Sequence, residues 1–144
     1  MDTKDFVTSF RKEFGEDSIF LLGEDERLTD IKVRSSGSLL LDLAMGGGFA
    51  QGRLSLLQGA EKAGKSSIAY MAIAEAQKNE EDKETAIIDL ENGFSPDWAQ
   101  KLGVDLDKLM IMQPDTHAEK VYDMIEYMLK SKRFSIIVLD SVDG

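Results

Sequence analysis

The stretch Gly59-Ala60-Glu61-Lys62-Ala63-Gly64-Lys65-Ser66 constrains this chain more than any other part of it. It fits G-x-x-x-x-G-K-[ST], the phosphate-binding loop of nucleoside triphosphatases. Its glycines let the backbone fold tightly and approach phosphate closely. Successive N–H groups then form an anion nest, and the positive end of the following helix faces the same anion. Lys65 supplies a cation for the β- and γ-phosphates, and the Ser66 hydroxyl can ligate Mg²⁺. The flanks agree with the motif. Arg53-Leu54-Ser55-Leu56-Leu57-Gln58, after Gly52, reads as a buried strand. From Ser67 to Gln77 the chain reads as a largely buried helix carrying Ile68, Ala69, Met71, Ala72, Ile73, Ala74 and Ala76.

The same alternation continues to the end. Thr85–Leu90, Leu109–Met112 and Phe134–Asp140 read as strands. Between them, Ser95-Pro96 opens a helix that runs to about Leu102 and stops at Gly103. Thr116 to Glu119 is a capping box that opens another helix, with Val121, Met124, Ile125, Met128 and Leu129 on one face. Strands and helices in this order predict a parallel α/β sheet of the P-loop class with flanking helices. Upstream, Thr3 to Phe14 is a helix with Thr3 as its cap, Phe6, Phe10 and Phe14 in one stripe, and Gly15 at its end. That stripe needs a partner surface, either on its own domain or on a neighbouring subunit. Residues 16–37 read as irregular, Leu39–Met45 as a short helix, and Gly46-Gly47-Gly48 as a flexible joint. The expected division is a helix and linker over residues 1–34 and a nucleotide-binding core over residues 35–144.

Composition removes other classes. With 144 residues, 42% of them hydrophobic, the chain can bury a core. No apolar run approaches the ~20 residues that span a membrane, and no secretory signal opens the chain. There is no cysteine, so disulfides and thiolate metal sites are excluded. A cytoplasmic location is expected. The formal net charge of −10 argues against a duplex-binding surface spread over the domain.

Three acids stand at strand ends. Asp140 closes a strand at the carboxyl edge, where open parallel sheets bind ligands, and it can serve Mg²⁺ there. Asp89 and Glu91 flank Leu90, and either is an ordinary strand-end acid or a group that polarises water. Glu91 is nearer the carboxyl end and is the better placed of the two. Trp98 is the sole tryptophan. It is either a core residue or a flat surface for a purine base. His117, the sole histidine, is assigned no role.

Together these residues resemble the bacterial RecA recombinases and their phage-borne relatives. The likeness lies in Ser36–Asp42, the P-loop, Ile88-Asp89-Leu90-Glu91, Ala99–Asp105, Gln113-Pro114-Asp115-Thr116 and Ile136–Val142. It implies ATP and Mg²⁺ as cofactors, bound by residues 59–66, Ser67 and Trp98, with Ser66 and Asp140 serving the metal. It implies that Lys65 and Glu91 are catalytic, with Glu91 activating water, and that Trp98 stands where a tyrosine usually stacks on adenine. It implies a DNA-dependent ATPase that pairs single-stranded with double-stranded DNA in a self-assembled helical filament, joined through the N-terminal helix. Three positions depart from the family pattern. Lys62 replaces a small polar residue, Asn92 stands where histidine is common, and Ser95 replaces an aspartate at the base. These bear on nucleotide selectivity and turnover. The chain ends four residues past Asp140, before the DNA-binding loops and before a strand that would lie between the P-loop strand and the Asp140 strand. It is therefore expected to be the N-terminal part of a longer unit whose segment 54–58 has no sheet neighbour. The alternatives are another motor of the same fold, such as a helicase or clock-type ATPase, and a non-enzymatic piece that docks on recombinase filaments.

Overall fold

A computed structural model describes residues 2–16, 18–21, 31–114 and 118–140. The capping residues Thr116 and His117, and Ser141 and Val142, lie outside the described residues. The chain divides into two compact units, residues 1–32 and residues 33–144.

The first unit is built on α1 (Thr3–Phe14). Its cap is Asp2 rather than Thr3: the Asp2 carboxylate accepts from the Thr3 N–H at 2.7 Å, and a carboxylate at that position also suits the helix dipole. Gly15, at φ 103°, ends the helix by donating its N–H to Arg11 O at 2.8 Å. The phenylalanines recur every fourth residue and meet ring to ring, Phe6 with Phe10 at 5.8 Å and Phe10 with Phe14 at 4.5 Å. Phe6 and Phe14 are exposed.

The second unit begins with a small antiparallel pair, β1 (Val33–Arg34) and β2 (Phe49–Ala50), on either side of α2 (Leu39–Met45). Gly48 is required there. A Cβ on it would stand 2.1 Å from Arg34 O, so only glycine lets the two strands close. The remaining elements are α3 (Lys65–Asn79), β3 (Glu84–Asp89), α4 (Pro96–Lys101), a 3₁₀ turn at Leu106–Lys108, β4 (Leu109–Met112), α5 (Ala118–Ser131) and β5 (Phe134–Asp140).

β3 lies between β4 and β5, parallel to both. Its side chains alternate between two cores. Ile87 packs with Tyr70, Ile73, Ala99 and Val104 under α3 and α4. Ala86 and Ile88 pack with Val121 and Met128 under α5. Leu129, expected on that inner face, is exposed. A buried polar link ties the layers together. Gln77 on α3 donates to Thr85 Oγ1 at 3.0 Å and to Asp105 O at 2.9 Å, and accepts from the Asp105 N–H at 2.9 Å.

Residues 54–58 correct the expectation of a buried strand. They form no strand, and Leu54 and Leu56 are 99% and 84% exposed. The reason is pairing: among the described residues, the sheet ends at β5, and no strand runs beside the segment. The expectation that it lacks a sheet neighbour holds.

Candidate nucleotide site

The carboxyl ends of the parallel strands and the start of α3 converge. Asp89 and Asp140 are register partners at the ends of β3 and β5. Gly64 caps α3 in the left-handed region at φ 95°, and Lys62 in the loop stands at φ 58°. The Lys65 Nζ curls back to donate to Gly59 O at 2.9 Å and Ala60 O at 3.1 Å. The lysine therefore lies along the loop, where the Ala63 N–H also donates to Ala60 O at 3.2 Å.

The Ser66 hydroxyl donates to Asp140 Oδ2 at 3.0 Å. This contact brings together the two oxygens that the sequence pairs for a metal. Among the described residues no group of three or more histidine or acidic side chains is arranged to hold a metal ion. Two hard oxygen donors suit Mg²⁺, which keeps several waters and uses one or two protein ligands beside phosphate oxygens. The donor set fits the ion.

Trp98 lies in the first turn of α4 and is 46% exposed. Its indole N–H donates to Ser67 Oγ at 2.9 Å, so the ring is pinned to the start of α3 with much of its surface open. A wholly core role is thereby set aside. Ser95 precedes Pro96 at the cap position, but its side chain makes no cap hydrogen bond.

The two acids after Ile88 differ. β3 ends at Asp89, so Glu91 lies in the bend that follows, and the strand rule of shared faces does not extend to it. Glu91 is exposed, whereas Asp89 is buried. Asp89 accepts from the Gly93 N–H and the Phe94 N–H, both at 3.0 Å, and from Gln113 Nε2 at 3.0 Å. Burial pushes its carboxyl up, but the Gln113 hydrogen bond and those from the Phe94, Gly93 and Glu91 backbone outweigh it and hold it below its usual value. Below lies Tyr70, whose hydroxyl is pushed up by burial first and then by the charges of Asp140 and Asp89, against a hydrogen bond from the Ser95 backbone. Sequence reasoning missed the part Gln113 plays. A glutamine just past a strand carries no signal until the neighbouring strand is known.

A glycine loop opening a helix, with a hydroxyl and a strand-end carboxylate meeting beside it at the edge of a parallel sheet, defines the P-loop class of α/β proteins. The comparisons narrow the class. The family model for the RecA N-terminal domain matches residues 3–144. The chain is 41% identical to Protein RecA of Chlorobaculum parvum over 137 residues, 94% of this chain and 39% of that one. It is 41% identical to Protein RecA of Mesomycoplasma hyopneumoniae over 140 residues, 96% of this chain and 40% of that one. Against Protein RecA of Leptospira biflexa the identity is 42% over 132 residues, 91% and 33% of the two chains. The chain belongs to the RecA family, and it spans about two fifths of the length of the first two of these relatives.

Proposed function

We propose that this chain is the ATP-binding portion of a RecA-type DNA recombinase. The observation that carries the reading is the Ser66–Asp140 contact beside the Gly64–Lys65 turn, in a chain of this family. Loop residues 59–64 would cradle the phosphates with their N–H groups, and Lys65 would leave the Gly59 and Ala60 carbonyls for the β- and γ-phosphates. Ser66 and Asp140 would hold Mg²⁺, which when bound screens the phosphate charge. Glu91 would accept a proton from the attacking water. Trp98, pinned by Ser67, would face the base. In the complete protein, this portion would drive pairing and exchange of single-stranded with double-stranded DNA. α1 would dock on the next copy in a filament, a reading supported by its exposed phenylalanine stripe. No helix among the described residues is long and apolar enough to cross a membrane.

Titration of Mg·ATP into the chain, followed by Trp98 fluorescence, tests the site. Saturable change that disappears in Lys65→Ala is expected. A flat titration at millimolar nucleotide sinks the reading for this chain. In the full-length protein, Glu91→Ala should abolish turnover while sparing ATP binding, and undiminished hydrolysis would remove Glu91 from its role.

A further inference from the structure

The bend between β3 and α4 is gripped by a residue buried beneath it. Asp89 is 3% exposed. Its Oδ1 accepts from the Gly93 N–H and its Oδ2 from the Phe94 N–H, each at 3.0 Å. One charged side chain thus holds the backbone two and three residues past Glu91. Charge-assisted hydrogen bonds of this kind are about twice as strong as neutral ones. They hold a turn that has some strain in it, since Asn92 stands at φ 55°, a region that asparagine tolerates better than most residues. The start of the bend is tied separately, by the Leu90 N–H donating to Asp140 O at 2.8 Å.

A second strand reaches the same carboxylate. Gln113, just past β4, donates its Nε2 to Asp89 Oδ2 at 3.0 Å. Gln113 is exposed, so its own burial does not dictate where its amide goes. That amide shares Oδ2 with the Phe94 N–H and restricts the rotation of the carboxylate that grips the bend.

The geometry points to Asp89 and Gln113 as positioning residues: the buried carboxylate, steadied by an amide from the β4 strand, fixes the bend that carries Glu91 and so sets where the Glu91 carboxylate stands. This rests on the reading of Glu91 as the group that activates water. Asp89 needs no contact with nucleotide to act. A misplacement of about 1 Å in a catalytic group can cost on the order of a hundredfold in rate.

The test compares Gln113→Ala, Asp89→Asn and Glu91→Gln in this chain, by backbone amide exchange and by steady-state hydrolysis of Mg·ATP. Gln113 is exposed, so its replacement spares the fold if Asp89→Asn does not. In Gln113→Ala, exchange of the Gly93 and Phe94 amides should quicken roughly tenfold while the β3 amides keep their protection. The same variant should lower kcat roughly tenfold with KM unchanged. Unchanged exchange at Gly93 and Phe94 overturns the proposal. So does an unchanged kcat in a chain whose turnover Glu91→Gln abolishes, and so does a joint change of kcat and KM with early melting, the mark of a purely structural staple. If Glu91→Gln leaves turnover intact, the reading of Glu91 falls; if the unmodified chain has no turnover, the kinetic arm is run on the same variants of the full-length protein, and in either case the exchange measurement decides whether the brace exists.

Discussion

β3 and residues 54–58 are both short apolar runs bounded by polar residues, and they meet opposite fates. β3 has a parallel neighbour on each side and a core on each face, and Ile87 is 1% exposed. In residues 54–58, Leu56 is 84% exposed and, among the described residues, the backbone has no strand beside it. Both carry aliphatic side chains, β-branched isoleucines in β3 and leucines in residues 54–58. The difference is pairing: a strand's N–H and C=O groups must find partners before its apolar side chains can be buried. Apolar character proposes a strand, and a neighbour decides it.

The contrast is broken most sharply by truncating one aliphatic residue in each region. Ile87→Ala should lower unfolding free energy by about 2–5 kcal/mol, through lost burial and the cavity left behind. Leu56→Ala should change it by less than about 0.5 kcal/mol, as for an exposed residue. Urea melts of both variants check the pair. Equal losses would mean that residues 54–58 are buried in solution and that the contrast is false.

A smaller effect is expected at the polar link that seats β3. Gln77→Ala leaves the Asp105 N–H without its acceptor and should cost about 1–3 kcal/mol. The m-value should stay the same, because the extent of the sheet does not change. A changed m-value would show that the link determines how much of the region beside β3 folds.

The smallest effect concerns α2, near the start of the second unit. The Ser35 hydroxyl, then the Ser36 hydroxyl and the Ser36 N–H, hydrogen-bond the Asp42 carboxylate and hold its carboxyl below the usual 3.8. The folded value is the lower one, so the unfolded chain binds the proton more readily. The stabilisation is therefore present above pH 3.8 and is lost as pH falls through the lower folded value. In Ser36→Ala, the Asp42 carboxyl resonance should titrate closer to 3.8. No movement would show that Ser35 alone sets it.

Much of this was legible in the sequence. The strands from Thr85, Leu109 and Phe134 announce themselves by continuous aliphatic runs, and the P-loop by residue type at fixed spacing. The RecA likeness was visible in Ala99–Asp105 and Ile136–Asp140, and the family match bears it out. Three things were not legible. β1 and β2 are two residues each, and their closure depends on what a side chain at Gly48 would strike. Asp89 read as the less well placed of two strand-end acids, and its burial and its three N–H donors, from Gly93, Phe94 and Gln113, carried no signal in the sequence. Residues 54–58 looked like β3 because a one-dimensional pattern holds no record of which strand lies next door.

The Ser66–Asp140 hydrogen bond joins residues 74 positions apart. Contacts of such long separation form only after the intervening chain has paid its closure entropy. On the ribosome, the loop and α3 therefore emerge well before their carboxylate exists. Until β5 has been made and has paired with β3, a nascent chain carries the glycine loop and Ser66 without the Asp140 carboxylate that meets it. The order of synthesis thus delays the meeting of Ser66 and Asp140 until nearly all of the sheet described here has been made.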